Sequence, residues 1–311
     1  MKIFAIVVLT LVLLYLALTY AIARFSAILL FTPPVRFRPT KEQIVNNAVK
    51  EFASQHTMYG GADFNAYEKW EREEFELDNK GVKIPAEYHP VPNARGCAIL
   101  AHGFGQNRYQ EVGYAEIFRK MGFSTVIYDQ RCFGASQAPN GGFSELEGTD
   151  LVALVEWVKQ KCGPDTKIVV QGVSLGGMTV MNALGLTDKI DYAINDCGPA
   201  RALDGALFVI HSMIPLPNPF MRGEILRKSR SLGLHIENIN PIDGVAKTNV
   251  PVCIIHGDAD KAVPVSDAKE IYAVCKNKNS RLEIFPGREH GYSICDTERY
   301  VSIIEDFLKE I

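Results

Sequence analysis

The sequence predicts an α/β protein: a mainly parallel, doubly wound sheet with helices on both faces, a small cap insertion and an N-terminal transmembrane helix. Three observations carry this. From Gly96 onward, strand-like segments at 97–101, 124–128, 167–171, 192–196, 251–256 and 281–285 alternate with helix-compatible stretches, the pattern of a parallel sheet. The pentapeptide Gly172-Val173-Ser174-Leu175-Gly176 joins one such run to a helix through a turn with room only for small neighbours. Residues Ile3 to Ala23 carry no charge and are mostly Leu, Val, Ile and Ala, enough to cross a bilayer as a helix.

Residues 1–24 read as a membrane anchor or as a signal peptide cleaved near Ala21-Ile22-Ala23. The anchor is preferred, because the apolar stretch exceeds a usual signal core and apolar residues resume from Phe25 to Phe31. Arg24, Arg36, Arg38 and Lys41 follow the span and only Lys2 precedes it, which favours a cytoplasmic domain; the side stays open. Thr32-Pro33-Pro34 then ends any helix. Residues 25–62 form a linker whose stretch from Lys41 to Tyr59 places Ile44, Ala48 and Phe52 at helical spacing, an amphipathic helix. The third unit, 63–311, opens with strands from Trp70 to Leu77 and from Val82 to Tyr88, turning at Asp78-Asn79-Lys80-Gly81. A chain beginning near Phe64 would keep every segment with candidate chemistry.

Ser174 sits where the turn lifts its hydroxyl above the sheet, and the Leu175 N–H at the new helix's start points toward an oxyanion formed there. A serine hydroxyl needs a base. Of seven histidines, His290 is the best placed, in the turn-rich Phe285-Pro286-Gly287-Arg288-Glu289-His290-Gly291-Tyr292 after a strand. His102 and His256 end apolar strands and read as structural. The carboxylate that orients the imidazole comes from Gly257-Asp258-Ala259-Asp260. Asp258 directly follows glycine and suits a turn-holding role; Asp260, further out before Val263-Pro264, is preferred. The second oxyanion donor is assigned to Phe104 N–H in His102-Gly103-Phe104-Gly105-Gln106-Asn107, after an early strand.

The stretch at about 199–247 interrupts the alternation, between the strands at 192–196 and 251–256, where the family resemblance given below implies a cap. Its apolar residues, Phe208, Phe220 and Met221 among them, predict a substrate pocket. Arg222, Arg227, Lys228 and Arg230 read as a solvated face, with lipid headgroups or an acidic substrate as the alternative. The formal net charge of −3, with no long basic stripe, gives no reason to expect nucleic acid as a partner. The seven cysteines are odd in number and scattered without a CxxC, neither a disulfide framework nor a zinc site.

Together, HGFGQN, the elbow, Tyr128-Asp129-Gln130-Arg131-Cys132-Phe133-Gly134-Ala135-Ser136, HGDADKAVP and GREHGY resemble the α/β-hydrolase superfamily of serine hydrolases. More narrowly, they resemble bacterial membrane-anchored hydrolases related to serine aminopeptidases and prolyl-oligopeptidase catalytic domains. The resemblance runs from about Glu74 to Ile311, with one departure: Cys132 stands where that family usually has glycine. It implies a Ser174–Asp260–His290 triad, no metal and no cofactor. The expected activity is hydrolysis of small carboxylic esters, with a peptidase or amidase as the rival and a catalytically silent binding protein as a third reading.

Overall fold

The computed structural model describes residues 2–33, 64–213 and 218–311. The helix expected from Lys41 to Tyr59, and Ile214 to Pro217 of the cap, fall outside the described residues. The strand-like segments form β3 (Cys97–Ala101), β4 (Ser124–Tyr128), β5 (Ile168–Val173), β6 (Tyr192–Asp196), β7 (Val252–Gly257) and β8 (Arg281–Phe285). They follow the antiparallel pair β1 (Glu73–Asn79) and β2 (Val82–His89). One eight-stranded sheet results, ordered β1-β2-β4-β3-β5-β6-β7-β8. β2 meets β4 antiparallel, and every pair from β4 to β8 is parallel. The central strands are buried along their whole length because helices cover both faces, so they read as continuous apolar runs. Edge strand β1 instead alternates half-buried Phe75 and Leu77 with exposed acidic residues, which discourages edge pairing.

Helices α2 (Phe64–Tyr67), α3 (Val112–Lys120) and α10 (Thr297–Phe307) cover one face, where Tyr67, Phe118, Phe123, Tyr300 and Ile304 pack together. Helices α4 (Glu145–Cys162), α5 (Leu175–Leu184), α8 (Pro241–Lys247) and α9 (Val265–Ala273) cover the other, around Leu151, Val180, Met181 and Ile271. The interruption at 199–247 therefore divides. Its α6 (Ala202–Met213) and α7 (Asn218–Ser231) form the cap, whereas α8 belongs to the sheet's covering layer against α5.

Helix α1 (Lys2–Phe31) runs past the span assigned to residues 1–24. Its apolar side chains from Ile3 to Tyr20 are exposed, but Ala23, Ala27, Leu30 and Phe31 are buried in an apolar cluster with the cap's Leu203, Ile210, Met221 and Ile225. The spacing 23, 27, 30 is one helix face. The chain upstream of Phe64 thus contributes to the core of the domain it precedes.

Cys132 has φ +66°, the left-handed conformation a glycine adopts without strain. Its thiol lies 3.4 Å from Ala138 O and 3.7 Å from Phe31 O, contacts that glycine lacks. The turn is kept, and the substitution ties the loop to the end of α1.

Candidate active site

The elbow shows why its small residues are required. A Cβ on Gly172 would lie 2.2 Å from Gly176 O, and one on Gly176 would lie 1.8 Å from Ala101 O. Ser174 itself is held at φ 56°, ψ −112°, a sparsely populated conformation for a non-glycine residue. Its N–H donates to Asp196 O at 2.8 Å, anchoring the turn to β6. Leu175 opens α5, so its N–H is among the first-turn amides without a carbonyl partner inside the helix.

His290 comes from the loop after β8. Its Nε2 lies 2.8 Å from Ser174 Oγ and its Nδ1 2.7 Å from Asp260 Oδ2. Asp260 comes from the loop after β7, and its side chain is fully buried. Its Oδ1 accepts the Ala262 and Val263 N–H groups, both at 2.8 Å. Burial alone would raise its pKa. Hydrogen bonds with His256 and His290, the His290 charge and the Val263 amide overcome that and hold it well below the usual carboxylate range. Asp258 is exposed and accepts Gly287 N–H at 2.6 Å, linking its own turn to the loop that carries His290.

His256, read from the sequence as structural, stands behind the acid. Its Nε2–H donates to Val263 O at 3.0 Å and lies 3.2 Å from Asp260 Oδ2. The available clue was the spacing of four between His256 and Asp260, which carries no weight without the loop's path. His102 does hold structure: Nδ1–H donates to Gly103 O at 2.7 Å, and Nε2 accepts Gln130 N–H at 3.0 Å. Cys197 Sγ lies 4.0 Å from His290 Nε2, so Cys197, Asp260 and His290 offer a metal-like donor group. The fit is poor. Burial pushes the thiol pKa well up, and both ring nitrogens of His290 already face hydrogen-bond partners.

Two cavities meet at Ser174 and His290. The apolar one, about 180 Å³, is lined by Phe104, Phe143, Leu175, Met178, Phe208 and Val263, among others. The more polar one, about 110 Å³, is lined by Gly103, Phe104, Gln106, Gln110, Glu111 and Tyr114, among others. Phe104 borders both, on a loop pinned by the Gly103 N–H to Gln106 Oε1 bond of 2.8 Å. Of the three expected pocket residues, Phe208 lines the apolar cavity. Met221 is instead fully buried in the cluster between cap and α1, and Phe220 packs at that cluster's margin. They lie on α7, which faces α1, whereas Phe208 lies on α6 above Ser174.

Glu111 was not found from the sequence, since a lone acid at a helix start has no distinguishing pattern. It is 1 % exposed. Burial, reinforced by the nearby Asp196 charge, pushes its pKa up to about 8. Burial likewise raises Asp196 to about 7, against the lowering influence of the His256 charge. An acid with a raised pKa stabilises the fold only while protonated. The contribution of Glu111 is therefore complete below its ordinary value of 4.5 and is lost as pH rises to about 8. Glu111→Gln removes that loss, so its melting temperature should exceed the parent's by roughly 10–20 °C at about pH 9, converging near pH 5. Equal melting temperatures at the higher pH would show that Glu111 ionises in the fold without cost.

Residues 142–311 match the profile of the prolyl oligopeptidase family, more than half of the 311-residue chain. The chain is 26% identical over 271 residues to the uncharacterized protein YqkD of Bacillus subtilis, covering 83% of this chain and 86% of that one. It is 26% identical over 194 residues to the uncharacterized membrane protein YNL320W of Saccharomyces cerevisiae, covering 62% and 63%. Its fold resembles that of the Pyrococcus furiosus esterase Pf2001, with TM-score 0.65 and 22% identity over 78% of this chain and 93% of that one. On this match, and on a mainly parallel sheet with the elbow at the end of β5, the chain belongs to the prolyl oligopeptidase family of α/β-hydrolase-fold serine hydrolases.

Proposed function

We propose that this protein is a membrane-tethered carboxylesterase acting through Ser174, His290 and Asp260. The observation that carries the reading is the continuous hydrogen-bonded relay from Ser174 Oγ through His290 to buried Asp260, at the edge of an apolar cavity. His290 Nε2 takes the serine proton as Oγ attacks the acyl carbon. The oxyanion is received by the Leu175 and Phe104 N–H groups, and the Asp260 carboxylate stabilises the imidazolium. Collapse expels the alcohol with the proton from Nε2. Water then enters by the reverse path and frees the acid.

The apolar cavity takes the acyl chain and the polar cavity the leaving alcohol. The esterase name of the Pyrococcus furiosus fold relative accords with this assignment. The family's peptidase members support a second reading, cleavage of short peptides or amides. For the tether, α1 is 30 residues long, enough by length and composition to cross a bilayer, and its exposed apolar part precedes the buried turns.

An acyl-length series of p-nitrophenyl esters tests the assignment. Each methylene buried in the apolar cavity should raise kcat/KM roughly fourfold until the cavity is full. Phe208→Ala should move the optimum to longer chains while acetate ester turnover persists, because the relay lies elsewhere. Faster cleavage of aminoacyl-p-nitroanilides, dependent on a free amino group, would replace the esterase reading with an aminopeptidase.

A further inference from the structure

Helix α1 does more than precede the domain, because its end packs behind Phe143 in the wall of the apolar cavity. The Phe31 carbonyl accepts Gly141 N–H at 2.8 Å, which satisfies an end-of-helix acceptor from the loop between β4 and α4. The Phe31 ring meets Phe143 edge-on at 5.8 Å between centroids. Phe143 lines the cavity and lies 5.6 Å from Phe104.

Phe143 sits at φ 48° and Ser144 at φ 86°, strained for non-glycine residues, so their surroundings must hold them. Glu147 accepts both Gly142 and Ser144 N–H at 2.8 Å. Asn182 Nδ2 donates to Ser144 O at 2.7 Å, and Ser144 Oγ donates to Met178 O at 3.0 Å. One side of this wall is thus fixed to α5, and the other rests on Phe31.

At its other end α1 exposes its apolar side chains from Ile3 to Tyr20. Exposure along α1 gives way to burial between Thr19 and Ala23. At that level Arg24 Nη1 donates to Tyr20 OH at 3.5 Å, the aromatic and basic pair typical of a headgroup boundary. From Ala23 to Phe31 is about 12 Å of helix rise. Cap helix α7 packs along α1 there and carries Arg222, Arg227, Lys228 and Arg230. With Tyr20 and Arg24 at a headgroup boundary, α7 would present Arg222 and Lys228 beside that layer, Arg227 and Arg230 being paired with Glu224 and Glu237.

We propose that the acyl cavity is loaded from the bilayer: the substrate is an amphiphilic ester held in the membrane by its acyl chain, and Phe31 is a positioning residue that acts through Phe143. This rests on the serine-hydrolase reading and names the substrate class of the same site. The cost of lifting an acyl chain into water, about 0.8 kcal/mol per methylene, is avoided when the chain passes directly from lipid to Phe143 and Phe208.

The test uses full-length protein in phosphatidylcholine vesicles with 4-methylumbelliferyl palmitate, which leaves a bilayer slowly. Ester placed in the protein's own vesicles should be hydrolysed at least about tenfold faster than the same amount supplied in separate vesicles, since loading from water would sense equal aqueous concentrations. Phe31→Ala should raise KM, expressed as mole fraction in the bilayer, about five- to tenfold with kcat within about twofold, and Phe31→Leu should restore most of it. Equal rates from the two vesicle populations would overturn the proposal, as would a Phe31→Ala protein that loses kcat with KM unchanged. Fluorophosphonate labelling of Ser174 in the parent protein separates the two failures: without it the hydrolase reading falls and this proposal with it; with it, an unfavourable vesicle result removes the loading route alone.

Discussion

Ser174→Ala is expected to lower turnover on the order of 10⁵–10⁶-fold and to abolish fluorophosphonate labelling. Among the described residues, Ser174 carries the hydroxyl that is hydrogen-bonded to His290. Ser136, the other serine in the motif segments, is 1 % exposed in the loop after β4, and Ser174 is the serine within 2.8 Å of His290. The remaining rate would come from oxyanion donors acting on water attack, which the elbow leaves in place because Leu175 N–H belongs to the backbone. The alanine must hold φ 56° as the serine does, so part of the backbone strain stays and stability should change little. Peptide mapping that puts the label on another serine, with turnover intact in Ser174→Ala, would sink the assignment.

The second large effect is expected at Asp260, where Asp260→Asn should lower kcat about 10³–10⁴-fold. The amide oxygen can still accept the Ala262 and Val263 N–H groups that bind Oδ1. That places the NH₂ group where Oδ2 now faces both His290 Nδ1 and the Nε2–H of His256. A donor there turns His290 into the tautomer with its proton on Nε2, which cannot take the serine proton. It also sets donor against donor at buried His256, so this variant should lose stability as well. Asp258→Asn provides the contrast. Its amide oxygen can still accept Gly287 N–H from an exposed position, and the cost should stay within about 1 kcal/mol of stability with kcat near normal. A catalytic loss in Asp258→Asn with normal kcat in Asp260→Asn would reverse the roles.

The parts legible in the chain are those whose cause is local. Runs at 97–101 and 124–128 coincide with β3 and β4, because a strand buried on both faces has to be largely apolar; 192–196 coincides with β6, and 281–285 with half-buried edge strand β8, where Arg281 and Glu283 alternate with Leu282 and Ile284. The elbow was legible because close backbone approach at two fixed positions excludes any side chain. Ser174, Asp260 and His290, singled out from turn chemistry at strand ends, lie within hydrogen-bond distance along one relay. A parallel sheet brings the carboxyl ends of its strands to one edge, so loops after β5, β7 and β8 meet there whatever their separation in the chain.

What the tertiary structure decided are relations between distant segments. His256 backs Asp260, Glu111 is buried beside the polar cavity, and Met221 faces α1 while Phe208 faces Ser174. Apolar side chains on α6 and α7 look alike in one dimension, and only packing determines which of them lines a cavity and which fills a core. The N-terminal helix is the clearest case. Its hydrophobicity determined that it could cross a bilayer, and the same hydrophobicity from Ala23 to Phe31 serves burial against protein. Lipid and protein core both favour apolar surface, so the sequence alone could not distinguish them. The distinction came from the fold, which set Phe31 against Phe143.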